Sequence, residues 1–230
     1  MLQAELRSQL HSRPNGQRVV IGKAIENPAI FGHRFFLMLE VLYKYFERSF
    51  PLAEEGKMLI KSVSSMRTIK KGEFLVRQGE VARFGAFVTK GFLRSYVIDN
   101  KGKEHIIQFA PENWWISDKT GMSEGTPATF FIDAIEDSQL ILMDLAGHIT
   151  LLEKLPGYAD SFRTGMQRRA VAKDHRIVSS LTASAEERYA DFLETYPHIA
   201  QRVPQHMLAS YLGVTPETVS RIRKQASLKK

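Results

Sequence analysis

Near the C-terminus, Glu217, Ser220, Arg221 and Lys224 recur at steps of three and four residues, the spacing that places side chains on one face of a helix. On such a face an arginine fork can grip O6 and N7 of guanine, and a carboxylate can accept from N4 of cytosine. Thr215 is suited to cap this helix and Pro216 to fill its first position. Pro216, Glu217, Ser220, Arg221 and Lys224 are therefore expected to point outward, while Val219 and Ile222, three apart, bury. Arg223, Lys224, Lys229 and Lys230 suit contacts with phosphate, which add affinity without reading sequence. Just upstream, Leu208 and Leu212 form the inner face of a preceding helix and small Ala209 permits close approach. Gly213 occupies a turn that needs positive φ, and Val214 plugs the corner. This is the spacing of a helix-turn-helix, whose second helix enters the major groove.

The charge distribution agrees. The 230-residue chain carries a formal net charge of +7. After Asp160 there are twelve basic against six acidic residues; before it the balance is twenty against nineteen. A basic bias confined to one end predicts an anionic partner there, nucleic acid first and a membrane surface second. In the last thirty residues six are basic and the single acid is Glu217, where a base-reading side chain is expected.

Other chemistries find little support. The chain has no cysteine, which removes disulfides, thiolate metal sites and cysteine nucleophiles. His105, His148, His175, His198 and His206 are scattered, and only His105 falls on an expected strand; a barrel metal site would want two or three with a carboxylate. No nucleophile–base pair and no phosphate-cradling glycine loop occurs. No catalytic residue, metal or cofactor is expected, and no enzyme. No apolar run reaches bilayer length, and the opening residues lack a secretory h-region; a cytoplasmic protein is expected, with no membrane partner.

The elements that must position the C-terminal motif follow from periodicity. Residues 1–34 show little of it. Met38, Leu39, Leu42, Tyr43 and Phe46 predict a helix over about 33–50, ended by Pro51, and a second short helix over 54–64. Strands are expected at 74–76, 84–89, 92–98, 105–109, 130–135 and 140–143, with Asp99-Asn100-Lys101-Gly102 as a hairpin. Their spacing describes a sandwich or small barrel. Beyond Asp144, Leu151, Leu152, Leu155, Tyr158, Phe162, Met166, Ala170 and Ile177 recur mostly at helical steps. That stripe exceeds what one domain face can cover, so Leu155, Tyr158, Phe162, Met166 and Ala170 are expected to meet a second copy of the chain; packing wholly within the subunit is the alternative. Ser184-Ala185-Glu186-Glu187 is a capping box that opens a helix ending at Pro197.

With these residues in view, the chain resembles the Crp/Fnr superfamily of bacterial transcriptional regulators. Glu217-Thr218-Val219-Ser220-Arg221 looks like its recognition-helix core. Lys71-Gly72-Glu73-Phe74-Leu75-Val76-Arg77-Gln78-Gly79-Glu80 looks like the opening of its cyclic-nucleotide-binding-type barrel. The resemblance implies an α+β fold: an N-terminal β jelly-roll (a double-stranded β-helix), a long dimerisation helix and a C-terminal winged-helix-like helix-turn-helix. The expected divisions are an extension over 1–34, an effector domain over 35–147, a dimerisation helix over 148–181 and a DNA-binding domain over 182–230. It also implies a homodimer on double-stranded DNA, RNA polymerase as a further partner, and an unidentified small-molecule effector that reorients the DNA-binding heads. Glu217 and Arg221 take the base-reading roles.

Two departures shape the expectation. Family members that bind cyclic nucleotides hold ribose with a Gly-Glu pair and phosphate with an arginine, but the stretch 114–129 contains no arginine. Pro127-Ala128 stands near the arginine's place and Asp118 is an approximate substitute for the glutamate, so cyclic nucleotides are not expected to bind. Only 225–230 follow the recognition helix, so the wing is expected to be short or absent. The expected effector pocket comprises Arg94, Tyr96, Trp114, Trp115, Asp118 and Thr129; alternatively the two tryptophans plug the core and Arg94 is a surface residue. The competing function is a small-molecule-sensing module whose helical tail docks on protein.

Overall fold

The computed structural model describes residues 28–228. The chain forms two compact units, Met1–His33 and Arg34–Lys230, and the description below concerns the second. The extension expected over 1–34 lies outside the described residues apart from the opening of helix α1 (Pro28–Glu47), and Lys229 and Lys230 lie outside them as well. Helix α2 (Glu54–Ser62) follows.

Eight strands come next: β1 (Ser65–Ile69), β2 (Phe74–Val76), β3 (Phe84–Lys90), β4 (Leu93–Ile98), β5 (Glu104–Ala110), β6 (Trp115–Ile116), β7 (Phe131–Ala134) and β8 (Ser138–Asp144). They form two antiparallel four-stranded sheets, β1-β8-β3-β6 and β2-β7-β4-β5. A short helix, α3 (Lys119–Glu124), sits between β6 and β7. Alternation sorts the side chains. In β7, Ile132 and Ala134 join Val88, Leu93, Ala110 and Leu140 in the apolar cluster of the barrel. Phe131 belongs with a different cluster, and Asp133, on the same side as Phe131, pairs with Arg94. The first sheet turns Phe87, Ile141 and Met143 toward Leu39, Leu42 and Phe46 of α1 and Ile60 of α2.

The stripe beyond Asp144 is two helices, not one: α4 (Leu145–Lys154) and α5 (Tyr158–Thr182). Pro156 has no N–H to continue α4, and Gly157 adopts φ 83°, a region that favours glycine. A Cβ on Gly157 would also meet Cβ of Phe50 at 2.7 Å. The break turns Leu155 and Tyr158 into the core beside Phe46 and Leu151, which corrects their expected place at a dimer seam. The apolar residues left exposed along α5 are Phe162, Val171, Ile177, Val178 and Leu181.

Helix α6 (Ala185–Thr195) opens on the expected capping box: Ser184 Oγ accepts from the Glu187 N–H at 3.2 Å, and Glu187 Oε2 accepts from the Ser184 N–H at 2.8 Å. Helices α7 (Gln205–Leu212) and α8 (Pro216–Leu228) complete the fold. These three do not stand apart from the barrel. Tyr189 and Phe192 of α6, Tyr196 just beyond its end, and Leu208 and Leu212 of α7 share one buried cluster with Phe92, Tyr96, Ile106 and Phe109. The outer face of the second sheet is thus the floor on which the C-terminal helices rest, and each fully buried ring there contributes about 2–3 kcal/mol.

Candidate nucleic-acid interface and its attachment to the barrel

Gly213 ends α7 at φ 68°, and the Val214 N–H returns to the Ala209 carbonyl at 3.0 Å. This closes the turn in the left-handed manner that glycine permits. Thr215 Oγ1 accepts from the Thr218 N–H at 3.3 Å, so the expected cap on α8 is present. Val219 and Ile222 are buried in the cluster that holds Leu208 and Leu212. Pro216, Glu217, Ser220, Arg221 and Lys224 are all exposed. Glu217 is held below the usual carboxylate range by a backbone N–H and then by the Thr215 hydroxyl, so it presents a charged acceptor. Arg221 Nη2 lies 3.6 Å from Glu186 Oε1, both side chains being about half or more exposed. An exposed pair of this kind is worth under about 1 kcal/mol, and another acceptor can replace it. Arg223 departs from expectation: it is half-buried and donates to the Ala200 carbonyl at 2.8 Å. It ties α8 to the chain between α6 and α7.

Polar contacts also fasten this domain to the barrel. Ser210 Oγ accepts from the Ile106 N–H at 3.0 Å and donates to the Glu104 carbonyl at 2.7 Å. Arg176, from α5, donates to the carbonyls of Ile106 at 2.8 Å and Tyr211 at 3.1 Å, and also to that of Ile107; its guanidinium lies 4.0 Å over the Tyr211 ring. Arg202 reaches Glu112 (2.8 and 3.0 Å), Glu136 (2.9 and 2.7 Å) and the Gly91 carbonyl (3.3 Å). The bonds to Glu136 and then Glu112 raise the arginine's pKa. Burial pushes the Glu112 carboxyl up, but its bond to Arg202 and backbone N–H groups bring it below the usual range. Replacing Arg202 by alanine should cost about 1–2 kcal/mol of stability, less than for a fully buried pair because the partners stay partly solvated. Urea unfolding measures the loss, and amide exchange at Ile106 should quicken as α7 loosens from β5; unchanged exchange there would refute the fastening role.

The expected effector residues do not converge. Arg94 is buried on the outer face of its sheet, not inside the barrel, and its donors are taken by Asp133 (2.8 and 3.0 Å) and Glu104 (2.5 Å). Burial opposes its charge, but these bonds outweigh it and raise its pKa. With two carboxylates already neutralising it, Arg94 is a poor anchor for an acidic effector. Tyr96 lies under the Arg94 guanidinium at 4.2 Å and stacks on Phe131 at 5.3 Å. Trp114 stacks on Tyr196 at 5.1 Å, whereas Trp115 packs on Phe87 at 5.3 Å, in the cluster beneath α1. Asp118 is buried and accepts from the Gly121 N–H at 3.1 Å as the cap of α3. Thr129 is exposed. A cation stands nearby: Lys119 Nζ is 2.8 Å from Met166 Sδ, and burial, followed by Arg169 and Lys173, lowers its pKa to about 8. Among the described residues no group of three potential metal ligands occurs. His105 pairs instead with Asp99 at 2.8 Å, within the expected hairpin. No described helix is long and apolar enough to cross a membrane.

Residues 66–154 match the family model of the cyclic nucleotide-binding domain. Over 183 residues the chain is 28% identical to the transcriptional activator protein Anr of Pseudomonas aeruginosa, covering 74% of this chain and 73% of Anr. The chain thus carries a cyclic nucleotide-binding-type domain and is similar, in sequence and in fold, to Crp/Fnr-type regulators. Its fold is shared with FixK2 from Bradyrhizobium japonicum (21% identity, TM-score 0.61, 73% of this chain and 86% of that one). A CooA mutant from Carboxydothermus hydrogenoformans is likewise similar (17% identity, TM-score 0.62, 77% of this chain and 82% of that one). The residues missed by sequence reasoning are Arg176 and Arg202. Arg176 lies within α5 and Arg202 between α6 and α7, with partners 35–111 residues away. No local spacing marks either of them.

Proposed function

We propose that this protein is a Crp/Fnr-type regulator that binds duplex DNA sequence-specifically as a homodimer and acts in transcription. The observation that carries the reading is α8: Glu217, Ser220 and Arg221 face solvent while Val219 and Ile222 lock the helix to α7. That is what a recognition helix needs, a rigid base and a free reading edge. Arg221 and Glu217 contact base edges, and Lys224 the phosphate backbone. Dimer contacts run along α5, where Phe162, Val171, Val178 and Leu181 remain exposed; the last three follow a seven- and three-residue step, as at a coiled-coil seam. Ala170 lies beside them, and Met166 is shared with Lys119.

The protein is not an enzyme in this reading. It works in the cytoplasm, meets RNA polymerase at the promoter, and takes its effector in the barrel. That effector is not a cyclic nucleotide. Asp118 is already engaged as a helix cap, and Ala128 is buried near the place of the phosphate-holding arginine.

The test is selection of bound sequences from a random duplex library, combined with sedimentation. An inverted repeat with half-sites about one helical turn (~34 Å) apart is expected, bound by a species of twice the chain mass. Absence of any enriched sequence, or a monomer at micromolar concentration, would overturn the respective half of the proposal.

A further inference from the structure

Three arginines line a hollow that neither α8 nor the expected effector residues touch. The hollow, of about 340 Å³, lies between β1, β2 and the turn leading to β3, and is lined by Arg67, Phe74, Arg77, Glu80, Arg83 and Phe84 among others. Arg67 is half-buried, with a single long bond of 3.4 Å to the Phe74 carbonyl. The Arg77 guanidinium lies over the Phe74 ring, 3.8 Å from its centroid, a contact that holds it by cation–π attraction and uses none of its N–H donors. Arg83 is exposed. Among the described residues none of the three is in a salt bridge.

This differs from the treatment of inward arginines elsewhere in the molecule. Arg94 and Arg202 each meet two carboxylates. Around the hollow the one carboxylate is Glu80, whose Oε2 accepts from the Arg77 N–H at 3.1 Å and so serves the turn. The lining therefore carries a net charge of two positive units. A solvated basic patch would be convex and polar. Here the wall includes two half-buried rings, Phe74 and Phe84, together with Val76 and Ala82.

We propose that this hollow is a binding site for a small organic dianion of the phosphate-monoester type. The arginine forks take the oxyanion by paired hydrogen bonds, and the phenylalanines face its organic body. The volume, near the lower end for ligand pockets, limits the ligand to a few heavy atoms beyond the phosphate.

Calorimetric titration of the full chain with phenyl phosphate and with inorganic phosphate, at constant ionic strength, tests it. One saturable site per chain is expected, tighter for phenyl phosphate. Arg77→Ala and Arg83→Ala should each weaken it about tenfold or more, the worth of a lost charged hydrogen bond. Arg163→Ala, a charge removal on α5, should leave it unchanged. Both hollow substitutions are at exposed positions, and matching melting temperatures will separate lost binding from lost folding. Unsaturable binding, equal affinity in the arginine variants, or an equal loss in Arg163→Ala would each overturn the site.

Discussion

Replacing Arg94 by methionine is expected to destabilise the protein by about 3–5 kcal/mol, the cost of stranding a buried charge. Asp133 sits opposite Arg94 in the β4–β7 ladder, and its side chain is only 9% exposed. Without the guanidinium its carboxylate has no cation partner among the described ion pairs and little water. Glu104, at 40% exposure, can turn to solvent. The loss should shrink strongly when Asp133→Leu is added to Arg94→Met, because an apolar pair of similar volume replaces a buried ion pair at little or no cost. Denaturant unfolding of both single variants and the double variant reads the coupling. A single-variant loss under about 1 kcal/mol would show that the charge is not desolvated as the burial implies.

Arg221→Ala should cost about 1–3 kcal/mol of affinity for the selected DNA site and relax preference at one base pair of each half-site. Its resting partner Glu186 is a weak surface acceptor, so the fold should be nearly unaffected. Lys224→Ala should weaken binding almost uniformly across sequences and reduce the salt slope by about one. Quantitative binding to the parent site and its single-base variants, at two salt concentrations, distinguishes the two. If Arg221→Ala loses affinity equally for every sequence, the residue holds phosphate and the base-reading assignment fails.

Legibility in the sequence followed the range of the interactions. The helix-turn-helix was readable nearly side chain by side chain, because caps, turn glycine and alternating faces all act within a few residues. Strands β2, β3, β4, β5, β7 and β8 announced themselves by alternation and turns. Strand β6 has two residues and β1 no strong alternation, and α3 was hidden in a Gly/Ser/Thr-rich stretch. The break at Gly157 was missed because apolar spacing continues across it, and only the nearness of Phe50, more than a hundred positions earlier, makes the turn obligatory. Arg94 reads in sequence as an effector anchor or a surface residue, and the structure instead buries it against Asp133 and Glu104. An arginine on a strand looks the same in sequence whether its acceptor is a ligand or an aspartate 39 residues away. Arg223 shows the converse, a basic residue expected to contact phosphate whose donor is used to hold α8 in place.

The shared cluster beneath the C-terminal helices has a consequence during synthesis. Phe92, Tyr96, Ile106 and Phe109 emerge with the barrel, but what covers them emerges later; the last strand ends at Asp144, and Tyr196 follows it by 52 residues. At about 5–20 residues per second, a finished barrel waits roughly 3–10 s with an aromatic face bare to water. In that interval the nascent chain presents a hydrophobic patch of the kind that chaperones hold and neighbouring polysomal chains adhere to. The fastening of the C-terminal helices to the barrel therefore leaves that face open to aggregation on the ribosome, before α8 has been translated.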